Sequence, residues 1–132
     1  MNKAYISAFN SAFKNATKLI KNPSRISRLI IEAGKKLSSG KSSLNNIKNE
    51  LFTLTRLIKH WSKGNYKNVS TKTIISVVAT VLYFVNPLDV IPDFLPVFGF
   101  TDDATILFYV LSKISNEIEE FKIWEKGLKE ER

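Results

Sequence analysis

A chain of 132 residues with 44% apolar content is long enough for one domain with a real core and too apolar to stay disordered. It has no cysteine, which excludes disulfides and thiolate metal sites and suits a reducing cytoplasm. The net charge of +8 is unevenly held: residues 1–72 carry 15 Lys/Arg against Glu32 and Glu50, a net of +13, whereas residues 73–132 carry five against ten acids, a net of −5. Such a basic half either is drawn to phosphates or anionic lipid or serves only as a solvated surface.

The start of the chain, Met1 to Ile6, has no continuous apolar run, so no secretory signal is expected. Tyr5, Ile6, Phe9, Phe13, Ala16 and Ile20 recur at helical spacing with Lys14, Lys18 and Lys21 between them, which predicts a first amphipathic helix. Asn22-Pro23 gives a stop and a restart, Asn as N-cap and Pro as first helical residue. The second helix carries Ile26, Leu29, Ile30, Ala33 and Leu37 on one face, with Arg25, Arg28, Lys35 and Lys36 largely elsewhere. Residues 38–43 are a polar linker and the best candidate boundary, dividing a basic helical arm (1–40) from a helical core domain (41–132). Gly40-Lys41-Ser42 is not a phosphate-binding loop: Gly34 and Gly40 have five residues between them rather than four, and a helix precedes them rather than a strand.

The third helix has the cleanest pattern, Leu44, Ile47, Leu51, Leu54, Ile58 and Trp61, the seam of an antiparallel bundle or short coiled coil, ending at Gly64-Asn65. Ser70 or Thr71 caps a fourth, whose residues 74–85 are apolar on every side. Its β-branched content suits a strand too, but with no partner strand in view a buried helix is expected. Twelve uncharged residues reach roughly 18 Å of a roughly 30 Å hydrocarbon core, so a single membrane span is not expected; a re-entrant hairpin is the alternative to a core helix. Pro87, Pro92 and Pro96 forbid a long helix until Gly99. Thr101 then caps a last helix with Asp102 and Asp103 against its dipole and a core stripe of Leu107, Val110, Leu111, Ile114, Ile118, Phe121 and Leu128. The fold class expected is all-α: a small bundle of four to five helices with a Pro/Asp-rich loop between the last two.

The stretch from Tyr83 to Asp103 resembles the YkvA-like family, a bacterial domain of unknown function. The family pattern Tyr-x-x-x-Pro-x-Asp-x-Ile-Pro-Asp, then Pro-x-x-Gly, then Asp-Asp, is met at Tyr83, Pro87, Asp89, Ile91, Pro92, Asp93, Pro96, Gly99, Asp102 and Asp103, with Thr101 standing where the family often has an apolar residue. The resemblance covers roughly residues 70–110 and leaves the basic arm outside. It implies a small helical protein, often membrane-associated, and brings no family-wide activity. Asp89, Asp93, Asp102 and Asp103 are weak candidates for a Mg²⁺ or Ca²⁺ site. The plainer reading makes them helix caps paired with Arg56 or Lys59, so no metal or other cofactor is expected. As a docking loop, the segment would offer Pro87, Asp89, Pro92, Asp93, Phe94 and Phe98, with Val97, to a partner.

His60 is the single histidine, without a second His or a Cys to build a zinc site or a nucleophile pair. The serines sit in caps and linkers without a nucleophile-elbow motif. No small-molecule substrate is indicated, and the expectation is a non-enzyme. The composition of the first two helices, basic, amphipathic and aromatic-bearing, is that of segments lying on anionic bilayers. The expected function is therefore peripheral association with the cytoplasmic membrane face or with a membrane protein, through Lys14, Lys18, Lys21, Arg25, Arg28, Lys35 and Lys36. Nucleic-acid binding is the second reading, since a +13 half neutralises many phosphates, and a protein-binding, immunity-like module is the third.

Overall fold

In the computed structural model, residues 3–38, 47–85 and 105–130 are described. They form five helices and no strand: α1 (Lys3–Leu19), α2 (Pro23–Ser38), α3 (Lys48–Ser62), α4 (Thr71–Val85) and α5 (Thr105–Glu130). The all-α bundle expected from the apolar periodicities is the architecture found.

The segment apolar on every side becomes the hub. α4 packs against each of the other four helices. Thr73, Ile74 and every residue from Val77 to Val85 are buried. A helix rich in Val, Ile and Thr has only modest intrinsic propensity, and burial on all sides compensates for it. The one polar side chain buried at its middle, Thr80, donates its hydroxyl to the Ser76 carbonyl at 2.8 Å, one turn back. That bond satisfies the hydroxyl inside the helix.

α1 makes the most extensive contact with α4. Its buried side chains include Ala12 and Ala16, and two alanines one turn apart permit close approach of a neighbouring backbone; Leu19 continues the face. Ile26, Leu29, Ala33 and Leu37 do the same for α2, on the stripe read from the sequence. All seven belong to the same hydrophobic cluster as the residues of α3, α4 and α5. The boundary between an arm and a core domain, placed at 40/41, lies outside the described residues.

Local punctuation falls where the residue types place it. Asn22 accepts the Arg25 amide on its side-chain oxygen at 3.2 Å and Pro23 opens α2, as expected. α3 closes in a Schellman motif, with the Gly64 amide on the Trp61 carbonyl (3.0 Å) and the Asn65 amide on the His60 carbonyl (2.9 Å). Gly64 sits at φ +77°, the left-handed conformation this motif requires. α3 begins at Lys48, with Ile47 in the N-cap position and no side-chain cap; Leu44, read as the first residue of the seam, lies outside the described residues. Ile47, Leu51, Leu54 and Ile58 are buried as the seam predicts, yet Leu57, Thr53 and Thr55 are buried too, so α3 presents a broader face than a coiled-coil seam. α5 buries Leu107, Val110, Ile114, Ile118 and Phe121, while Leu111 and Leu128 are only partly covered. The helix departs from helical geometry at Ile114 (φ −118°, ψ 15°) and runs on to Glu130.

Candidate membrane-facing surface

The outer faces of α1 and α2 bring the basic residues together. Lys14 and Lys18 lie one turn apart on α1, Lys21 follows in the connecting turn, and Arg25, Arg28 and Lys35 line α2; all six are exposed. None forms an ion pair among the described residues, where the two pairs present, Arg56–Glu125 and Lys122–Glu119, both involve α5. Glu32 is the single acid between residues 3 and 38. Among the described residues of α1, α2 and the turn between them the charge is therefore strongly positive, with Glu32 the one acid.

Lys36 departs from the expected set. Its side chain turns inward, and Nζ donates to the Val85 carbonyl at 3.2 Å, meeting one of the carbonyls that the end of α4 leaves without an intrahelical partner. Burial pulls its pKa below the ordinary lysine value. Lys36 thus ties α2 to the end of the hub helix instead of facing out with Lys35.

An exposed apolar residue lies among the cations. Ile31 is 57% exposed, three residues after Arg28 and four before Lys35, hence on the same face of α2. It falls off the α2 apolar stripe, a mismatch legible in the sequence. Beneath the turn between α1 and α2 is a cleft of about 170 Å³, lined by Asn15 and Leu19 from α1, Arg25, Arg28, Leu29 and Glu32 from α2, and Leu82 from α4. No sequence signal points to this cleft, since its walls come from three helices.

The remaining site expectations separate clearly. Asp89, Asp93, Asp102 and Asp103, together with the loop residues Pro87, Pro92, Phe94 and Phe98, lie outside the described residues. Among the described residues no group of three or more His, Cys, Asp or Glu could hold a metal ion. Arg56, expected to pair with one of those aspartates, instead forms a forked pair with Glu125 of α5, Nε–Oε2 2.7 Å and Nη2–Oε1 3.3 Å. His60 is partly buried at the α3–α5 contact, edge-on to Trp124 with centroids 5.0 Å apart and with Nδ1 3.3 Å from the Asn65 side-chain amide nitrogen. Burial lowers its pKa, opposed by Glu125 and reinforced by Lys59, Lys63 and Arg56. Among the described residues no helix is long and apolar enough to cross a membrane.

Comparison with known proteins meets the molecule at its hub. A family described as a protein of unknown function, DUF1232, matches residues 73–109, a span that takes in most of α4 and the start of α5. A curated relative, the uncharacterized membrane protein YkvA of Bacillus subtilis (strain 168), is 35% identical over 72 residues, which is 54% of this chain and 68% of the relative. The chain belongs to this YkvA-like family. No solved structure matches. The DUF1232 span excludes α1 and α2, so the basic face lies outside the part of the fold by which the family profile is recognised.

Proposed function

We propose that this protein is a non-catalytic module that associates peripherally with an anionic membrane surface on its cytoplasmic side, using the outer face of α1 and α2. The observation that carries the reading is the cluster of six exposed cations, Lys14, Lys18, Lys21, Arg25, Arg28 and Lys35, unpaired among the described residues and flanking the exposed Ile31. Each Lys or Arg near an anionic leaflet contributes about 1 kcal/mol, so four or more acting together supply binding without any spanning helix. An apolar side chain among the cations adds the shallow insertion typical of interfacial helices. The family relative described as a membrane protein agrees with this reading.

The test is co-sedimentation of the purified chain with anionic and with neutral vesicles across a salt series, with duplex DNA as competitor. Binding to anionic vesicles only, weakened by salt and abolished by charge reversal at Lys14, Lys18, Arg25 and Arg28, is the expected result. Indifference to anionic vesicles, with tight DNA binding of steep salt dependence, would replace the membrane by nucleic acid as the partner.

A further inference from the structure

Resting on the membrane reading but fixing how the molecule meets the bilayer, we propose that Phe108 and Tyr109 of α5 are a second point of entry into the same anionic lipid surface. The chain then docks with the C-terminal end of α4 towards the lipid.

The register of α5 against α4 sets the level of this pair. Asn68 donates to Glu120 at 3.1 Å, and the Ser70 amide and Thr73 hydroxyl donate to Glu117 at 3.1 and 3.0 Å. Residue numbers fall along α5 as they rise along α4, so the two helices run antiparallel. Phe108 lies nine residues before Glu117, roughly 13 Å at about 1.5 Å per residue, which brings it about level with Leu82. Leu107 and Val110 are buried, whereas Phe108 and Tyr109 between them are each 55% exposed.

The basic face reaches the same level. Leu82 shares its cleft with Arg25 and Arg28, and Lys36 Nζ meets the Val85 carbonyl. The stretch of α2 from Arg25 to Lys36, with Ile31 inside it, therefore lies around the last turn of α4. Among the described residues the exposed large apolar side chains are Ile31, Phe108, Tyr109 and Ile123. The first three gather at this end. Ile123 belongs to the other, two residues before Glu125, which pairs with Arg56 of α3.

The chemistry of the pair suits an interface. Phe108 is wholly apolar, and Tyr109 has an apolar body with a polar tip, the residue type that favours a surface apolar on one side and wet on the other. Lys113 Nζ stands 5.6 Å from the Tyr109 ring centroid. A cation over an aromatic face fits a headgroup layer, where the ring enters and the ammonium stays with the phosphates. The six cations of the basic face and Lys113 make seven exposed positive charges. Setting against them Glu32 and all four aspartates of residues 86–104, which are outside the described residues, leaves 7 − 5 = +2. Ile123 is more exposed, at 70%, but stands between Glu119 and Glu120 on one side and Lys122 and Lys126 on the other, a setting of both signs.

The test uses the full chain with vesicles of phosphatidylcholine and phosphatidylglycerol. Because the chain has no cysteine, Tyr109→Cys and Ile123→Cys each take a single nitrobenzoxadiazole dye. Nitroxide-bearing lipid is expected to quench the dye at 109 and leave the dye at 123 unchanged. Phe108→Gln/Tyr109→Gln is expected to weaken vesicle binding about tenfold, by the same factor at low and high salt because apolar contact is not screened. Ile123→Gln should bind as the wild type does. The labelled chains carry the test independently of the double variant's stability. Wild-type binding to the vesicles with no quenching at 109, or with equal quenching at 109 and 123, overturns the end-on contact and leaves the basic-face reading intact. Binding that survives charge reversal at Lys14, Lys18, Arg25 and Arg28 but is lost in Phe108→Gln/Tyr109→Gln upholds the aromatic entry and overturns the basic-face reading. A wild type that ignores the vesicles overturns both, and self-association lost in the aromatic double variant would then assign the pair to a second copy of the chain.

Discussion

His60 shows how one side chain couples packing to pH. Its ring lies against Trp124 and near Phe121, and loss of hydration is the largest influence on it. The folded-state pKa is below 6.5, so folding binds the neutral ring more favourably than the imidazolium. Above pH 6.5 the ring is neutral in both folded and unfolded chains and contributes no pH dependence. As pH falls from 6.5 through the lower folded-state value, the unfolded chain takes up the proton first and stability declines. Urea midpoints at pH 7.5 and 5.0 are therefore expected to fall less in His60→Gln than in the wild type. Equal declines in the two proteins would show that His60 has no part in the acid sensitivity. The presence of this histidine near the end of its helix was readable from sequence; its lowered pKa was not, because Trp124 and Phe121 approach it from another helix.

At the scale of elements, the start of α4 makes the same contrast. Ser70 accepts the Thr73 amide at 3.2 Å, the N-cap contact its residue type allows one to expect. In a capping box, a Glu three residues later returns to the N-cap amide. Here Thr73 occupies that position and Glu117, 47 residues away on α5, supplies the carboxylate: it accepts the Ser70 amide at 3.1 Å and the Thr73 hydroxyl at 3.0 Å. The cap is thus also a clamp between α4 and α5, as the Arg56–Glu125 fork is between α3 and α5. Ser70→Ala is expected to cost about 0.5–2 kcal/mol. Glu117→Ala should cost a similar amount, and the double variant less than the sum, with a coupling of about 0.5 kcal/mol or more, because both substitutions dismantle one network. Strict additivity in a denaturant-derived double-mutant cycle would mean that Glu117 acts independently of the cap. Features set by neighbours in sequence, such as Asn22-Pro23, Gly64 and the apolar stripes, are legible in the order of residues alone. Those set by pairs 47 to 69 residues apart, including Lys36 on Val85, carry no local signal.

For the molecule as a whole, the charge asymmetry and the burial pattern place opposite demands on α1. Its outer face carries the cations of the proposed membrane surface, while Ala12, Ala16 and Leu19 cover the hub helix. The polar run at 38–43 reads as a domain boundary because linkers and interhelical turns share the same residue types; composition alone does not reveal whether α1 and α2 pack back onto α3, α4 and α5. Burying Leu19 contributes about 1.5–3 kcal/mol and each alanine roughly 0.8, and uncovering α4 loses a comparable area on its side of the contact. The total, about 5 kcal/mol or more, is of the same order as the whole stability of a domain this size. A chain lacking residues 1–22 is therefore expected to lose its cooperative urea transition and to bind a hydrophobic dye, as chains with fluctuating tertiary packing do. The full-length protein with Lys14 and Lys18 changed to Glu should unfold at nearly the wild-type urea concentration, since both side chains are exposed and make no ion pair among the described residues. A truncated chain that kept a sharp transition at the wild-type midpoint would make the first helix a detachable arm, in line with the boundary that the linker composition suggests. Loss of the transition in the truncated chain alone would mean that the surface proposed to meet the membrane is built on the helix that closes the core, so that charge on its outer face can be altered while the helix itself cannot be removed.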